Sequence, residues 1–131
     1  NAEELYLKIQ KFLPSNKTNT IDLSLILEKA EGDNEYLKDI IQSYITEMPK
    51  YLTELTDSIQ KNDIIQVAAH AHKMKSPAAL MGANELKEVL SELEKKGLEG
   101  ITNFDYTSFG EKATLLCEKS IEELRKKLEN L

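Results

Sequence analysis

Along the chain, apolar positions recur at steps of three and four instead of alternating, so helices are expected and strands are not. The clearest run spans Glu35 to Gln60, where Leu37, Ile41, Tyr44, Met48, Leu52, Leu55 and Ile59 line one face of a long amphipathic helix. Pro49 falls inside that run, where it removes a hydrogen bond and crowds the preceding turn, so a bend or break is expected. Upstream, Leu5, Ile9, Phe12 and Leu13 in "EELYLKIQKFL" predict a short helix over 3–13 closed by "PSNKTNT". "IDLSLILEKAEGD" predicts a second short helix, with Asp22 as a possible cap and Gly32-Asp33 as its end. "KND" then separates the long helix from one that begins at Asn62 or Asp63 and runs to Gly82. "ANELKEVLSELEKKG" reads as a compact helix closed by Gly97. After the loop "LEGITNFDY" a final helix runs from about Thr107 to Asn130. Its expected stripe is Leu115, Leu116, Ile121, Leu124 and Leu128, and Gly110 weakens its start.

Four substantial helices with short connections, preceded by one or two short ones, predict an all-α fold: an antiparallel four-helix bundle. A single domain is expected over 1–131, with 1–19 as an N-terminal extension and the bundle over about 20–128. The loop before the last helix is where variation in length and mobility are expected. Composition agrees, since 40% hydrophobic residues argue against disorder, and five Gly with three Pro are few for an all-β chain. A net charge of −6 and a pI near 5.0 oppose phosphate backbones and anionic lipid, so neither nucleic acid nor direct membrane contact is expected. No run approaches the roughly 18 apolar residues of a spanning helix. The lone Cys117, in "TLLCEKSIEEL", reads as a small buried hydrophobe in a reducing, cytoplasmic setting. The chain starts Asn1-Ala2 without a methionine, which leads us to expect a piece of a longer parent, membrane-anchored or not.

Candidate chemistry centres on "AHAHKMKSPAALMGA", residues 69–83. On a helical wheel Val67, Ala71, Met74, Ala78 and Met81 form one line facing the core. His72 points away from it, ringed by Ala68, Ala69, Ser76 and Ala79, all small, with Lys75 three residues on and within reach. His70 and His72 diverge by about 200° on a helix, so they cannot share one metal, and zinc is disfavoured. His70, beside Met74, reads as a partly buried, hydrogen-bonded structural histidine. His72 admits two readings, a plain surface histidine or a nucleophile for phosphate. In the second, neutral imidazole takes a phosphoryl group on nitrogen while the Lys75 ammonium offsets the arriving charge. There is no Gly-rich phosphate loop, no serine–histidine–acid arrangement and no paired carboxylates in an evident cleft.

With these residues in place, the chain resembles the histidine-containing phosphotransfer domain of multistep two-component relays. His72, Lys75, Ala78, Ala79 and Gly82-Ala83 match that family's pattern in register, which selects His72 over His70. The segment "IDLSLILEKAEGDNEYLKDIIQSYITEMPKYLTELTDSIQKND" is similar to the family's entry helix, Gly-Asp turn and long proline-containing helix, so the likeness spans about residues 20–128. Two positions depart from the pattern, Ser76 for the usual glycine and Pro77 for the small residue after it. Proline should cost a helix interior about 3 kcal/mol and free the Lys73 carbonyl, for Ser76 or water to satisfy.

The resemblance implies a phosphocarrier without autonomous catalysis. His72 takes phosphate from a receiver-domain aspartate and passes it to another receiver, and Lys75 steadies the phosphoryl oxygens. Ile65, Ala68, Ala69, Ser76 and Ala79 form the docking patch. Metal and carboxylates are expected to be absent around His72, so the receiver supplies Mg²⁺ and the acidic pocket, and this domain binds no cofactor. The expected partners are response-regulator receivers, including the kinase and receiver modules of a hybrid-kinase parent, and a monomer is expected. Two rivals are a helical adaptor that docks receivers or other helices without carrying phosphate, and a dimerising segment of a histidine kinase. The second would leave its apolar stripes open for a partner chain, whereas here there are enough helices to close a core.

Overall fold

The computed structural model describes residues 20–131, so the helix expected over 3–13 lies outside the described residues. Five helices follow: α1 (Ser24–Ala30), α2 (Asn34–Gln60), α3 (Ile64–Leu80), α4 (Asn84–Leu98) and α5 (Tyr106–Glu129). Helices α2 to α5 pack in a closed ring, α2 on α3, α3 on α4, α4 on α5 and α5 back on α2, while α1 leans on α2. The all-α four-helix bundle is therefore as expected, with one short helix before it among the described residues.

Side chains at three helix starts take up amide groups that the helix itself leaves unpaired. Asp33 accepts from the Tyr36 amide at α2, Asp63 from the Gln66 amide at α3, and Asp105 from the Ser108 amide at α5. At α1 the expected cap is displaced by one residue. Leu23 holds the cap position, and Asp22 instead accepts from the Ser24 amide at 3.0 Å and its hydroxyl at 2.7 Å, a local turn before the helix. Helix α2 is 27 residues, about 40 Å long, and runs on through Pro49 without a break.

The core holds Ile26, Ile41, Met48, Leu55, Met74, Met81, Leu90, Leu93 and Leu124, all shielded from solvent, with Cys117 among them as expected. Burial pushes the Cys117 thiol up to about 12, helped by the charge of Glu118. Tyr44 keeps its hydroxyl satisfied inside the bundle. The hydroxyl lies 2.7 Å from Ser120 Oγ, and Ser120 donates to the Cys117 carbonyl at 2.7 Å, so a buried polar chain joins α2 to α5. Leu115 departs from its expected place in the stripe, being 52% exposed. The buried face of α5 runs through Ala113, Leu116, Cys117, Ser120, Ile121 and Leu124, and Leu115 lies about 200° from Cys117 on the wheel. The loop before α5 is tied at its end, where the Tyr106 hydroxyl donates to the Ile101 carbonyl at 2.5 Å and Phe104 meets Tyr106 edge-on.

Gly97 does not close α4. The helix runs one residue past it, and Gly97 is buried where α4 meets α3. A Cβ there would stand 2.5 Å from the Ile64 carbonyl oxygen and 2.9 Å from Ala68 Cβ, so the glycine sets how closely the two helices approach. Gly82 has an equally tight setting. It adopts φ +66° where the chain passes the Asp22 backbone, and the Asp22 amide bonds the Met81 carbonyl.

Candidate functional site

Helix α3 carries both histidines, and its packing separates them as the wheel predicts. His72 is 71% exposed at its side chain, while His70 is 19% exposed and turned towards α2. His70 is partly buried, as expected, but it is not hydrogen-bonded at Nδ1. That buried atom has no hydrogen-bond partner and stands 3.6 Å from Glu54 Oε1. Glu54 is engaged elsewhere, accepting from Lys73 Nζ at 2.9 Å, and the same ammonium lies 4.8 Å from the centre of the Tyr51 ring. The Lys73 hydrogen bond in particular holds the Glu54 carboxyl below its usual range, with smaller help from the charges of Lys73 and His70 against its desolvation.

His72 has a partner that sequence reasoning missed. Glu94, one turn before Gly97 on α4, places Oε2 2.6 Å from His72 Nδ1 and Oε1 2.5 Å from Lys75 Nζ. The expectation that carboxylates are absent around His72 is therefore corrected. The reason is geometric: α4 runs alongside α3 so closely at Gly97 and Ala68 that the residue one turn away reaches across. Only 14% of the Glu94 side chain is exposed. Burial pushes its carboxyl up, but hydrogen bonds from Lys75 and His72, with their charges, outweigh that and hold it below the ordinary glutamate value. A sequence signal did exist, in the form of an acid three residues before a glycine inside a helical pattern.

An ionised carboxylate only accepts, so the contact at Nδ1 is an N–H donating to Glu94. The neutral ring then carries its lone pair on Nε2, at the exposed edge. Around it Ile65, Ala69 and Ser76 are exposed and Ala79 is half-buried. Ala68 is not on this face: it is 2% exposed and packs under Gly97, which takes it out of the expected docking patch. On the α4 side an open groove of about 390 Å³ is lined by Lys75, Ser91, Glu94, Lys95, Leu98 and Glu99. Ile65 and Leu98 are both 74% exposed. Pro77 sits within α3, half-buried over a small cavity of about 140 Å³ lined by Tyr44, Met48, Tyr51 and Met81 among others. The carbonyl it frees belongs to Lys73, an exposed residue one turn earlier on the helix. Among the described residues no group of three or more His, Cys, Asp or Glu could hold a metal ion.

A family model described as the Hpt domain matches residues 39–131, which includes all of this site. The chain belongs to the Hpt domain family. Its fold is that of histidine-containing phosphotransfer protein B (HptB) from Pseudomonas aeruginosa PAO1, with a TM-score of 0.79 at 16% identity over 87% of this chain and 98% of that one. It is also 25% identical over 77 residues to the phosphorelay intermediate protein rdeA of Dictyostelium discoideum. That match covers 59% of this chain and 30% of rdeA, so this Hpt chain corresponds to under a third of that relative's length. No described helix of this Hpt chain is long and apolar enough to cross a membrane.

Proposed function

We propose that this Hpt domain is a phosphocarrier of a two-component relay: His72 Nε2 accepts a phosphoryl group from a receiver-domain aspartate and passes it to the aspartate of another receiver. The observation that carries this reading is the exposed His72 ring anchored at Nδ1 by Glu94, which leaves Nε2 free and pointing outward. The Lys75 ammonium has three donors, one of which holds Glu94, which leaves two to offer to the arriving phosphoryl oxygens. The receiver brings Mg²⁺ and its own carboxylates, which offset charge on the transferring group. Ile65, Ala69, Ser76 and Ala79, joined by Leu98, make a small and partly apolar surface for brief encounters with more than one receiver. The bundle closes its own core, and we assign it a monomeric, cytoplasmic role, with the kinase and receiver modules of a hybrid-kinase parent among its partners.

The test is transfer of labelled phosphate from a phosphorylated receiver to the wild type, His72→Gln and His70→Gln. Acid-labile label is expected on the wild type and His70→Gln and not on His72→Gln. Label retained by His72→Gln would refute the assignment. A folded wild type that takes none from several receivers, yet binds them, would mark a docking adaptor.

A further inference from the structure

Resting on the carrier reading above, we infer that the Ser76 hydroxyl is a phosphoryl-binding group, which donates a hydrogen bond to the phosphoryl oxygens on His72 and so stabilises the loaded carrier. Its position follows from which side of His72 faces α4. On the helical wheel Lys75 and Ala68 fall about 60° and 40° to one side of His72, and Ser76 and Ala69 about 40° and 60° to the other. The first pair marks the α4 side, because Ala68 packs under Gly97 and Lys75 bonds Glu94. Glu94 holds Nδ1 from that side at 2.6 Å. In an imidazole Nδ1 and Cε1 form one long edge of the ring, Cδ2 and Nε2 the other. With Nδ1 drawn towards α4, Nε2 is turned towards Ser76 and Ala69.

The hydroxyl has no other task. Ser76 is exposed and makes no side-chain hydrogen bond among the described residues. Elsewhere in the bundle Thr53, Ser58 and Thr114 turn their hydroxyls back on the carbonyl four residues earlier. Ser76 does not do this to His72, nor does it take up the Lys73 carbonyl that Pro77 frees. Helical side chains lean towards the N-terminus, which carries the Ser76 hydroxyl back over the turn of His72, the two Cβ atoms being about 5–6 Å apart. Ala69, on the same side, has no donor to offer. A phosphoryl group on Nε2 is thus met from the α4 side by the Lys75 ammonium and from the open side by a hydroxyl. Serine keeps its proton and shares it with a phosphoryl oxygen, and no bond from serine to phosphorus forms. A hydrogen bond to a charged acceptor is stronger than one between neutral groups, so Ser76 favours phosphohistidine over the unloaded ring and draws the relay equilibrium towards the carrier.

The experiment brings a phosphorylated receiver to equilibrium with the wild type, Ser76→Ala and Ser76→Thr, and measures how label divides between the two proteins, with circular dichroism to show that each variant is folded. Docking changes the forward and reverse rates alike, so this ratio reads the loaded carrier and not the contact surface. Ser76→Ala should move it about fivefold towards the receiver, while Ser76→Thr, which keeps a hydroxyl, should stay within about twofold of wild type. In parallel, phosphorus NMR of the phosphorylated protein without receiver should show the phosphoryl group losing its last proton at a lower pH in wild type than in Ser76→Ala, since a donor favours the more highly charged form. The same division of label for wild type and Ser76→Ala would overturn the inference, as would equal losses in Ser76→Ala and Ser76→Thr, or phosphorus titrations that coincide. A wild type that takes no label at all would instead remove the carrier reading on which the inference rests.

Discussion

Gly97→Ala should damage stability and transfer together, and its cost can be worked from the packing of α3 on α4. The new methyl would lie 2.5 Å from the Ile64 carbonyl oxygen, where about 3.3 Å is the ordinary approach of carbon to oxygen. The obstacle is backbone, so the helices must separate by about 0.8 Å locally. A gap of that size forfeits a quarter to a half of each dispersion contact it opens, and overpacking costs typically about 1–3 kcal/mol. Exchanging glycine for alanine in a helix returns about 1 kcal/mol. Taking the upper end because neither side can yield, the net loss is about 2 kcal/mol, or about 8 °C in Tm for a domain of this size. The same separation would stretch the His72–Glu94 contact from 2.6 Å to beyond good hydrogen-bond length, so label uptake should fall as well. Gly110→Ala is the matched control. Its Cβ would meet Ile59 Cδ1 at 2.6 Å, nominally the same clash, but with the end of a flexible side chain that can turn aside. That variant should be neutral or slightly stabilised in a urea melt and should transfer normally. If Gly97→Ala proved as stable as Gly110→Ala, the close approach of α3 and α4 would not be what holds Glu94 against His72.

Two further outcomes are expected. Pro77→Ala restores an amide hydrogen to the Lys73 carbonyl and relieves the preceding turn, at the expense of a more flexible unfolded chain and a slightly larger cavity beside Met48 and Tyr51. A gain of about 1–2 kcal/mol is expected in urea, and a loss would show that the ring's packing outweighs the missing bond. Because the Glu94 carboxyl is held below its ordinary value in the fold, its contribution to stability is complete above the unfolded value near about 4.3 and is lost as pH falls through the folded value. The stability gap between wild type and Glu94→Gln should accordingly be widest near neutrality and close below about pH 4. A gap that stayed constant over that window would mean the carboxylate's charge is not coupled to folding.

What the sequence made legible follows from which relations are local. The start of α3 was readable at Asp63, whose carboxylate bonds the Gln66 amide three residues ahead, whereas Asp33 and Asp105, which cap α2 and α5 in the same way, had read as a helix end and a loop residue. The separation of His70 from His72 was readable as well, since both lie on one helix and its twist alone decides where they point. Two of the errors arose where a second helix decided the outcome. Gly97 looked like a terminator because glycine commonly ends helices, yet α3 presses so close that only glycine fits there. Ala68 looked like part of the exposed ring around His72 because a wheel does not show which small residue the neighbouring helix covers. Leu115 was placed on the stripe by its neighbour Leu116, although one step around the helix takes it out to solvent.

Glu94 belongs to the same class of relation, and it changes what the motif on α3 means. His72 and Lys75 are one turn apart on a single helix, so their proximity survives almost any packing of the bundle. That proximity alone leaves the imidazole free to rotate and to carry its proton on either nitrogen. The choice of nitrogen comes from a residue 22 positions away, at a distance governed by Gly97 against Ile64 and Ala68. Packing energy and chemical competence are therefore tied at one interface. A substitution that loosens α3 from α4 should weaken phosphate transfer even when it touches neither His72 nor Lys75, whereas loosening α2 from α5 should lower stability and leave the orientation of the imidazole intact.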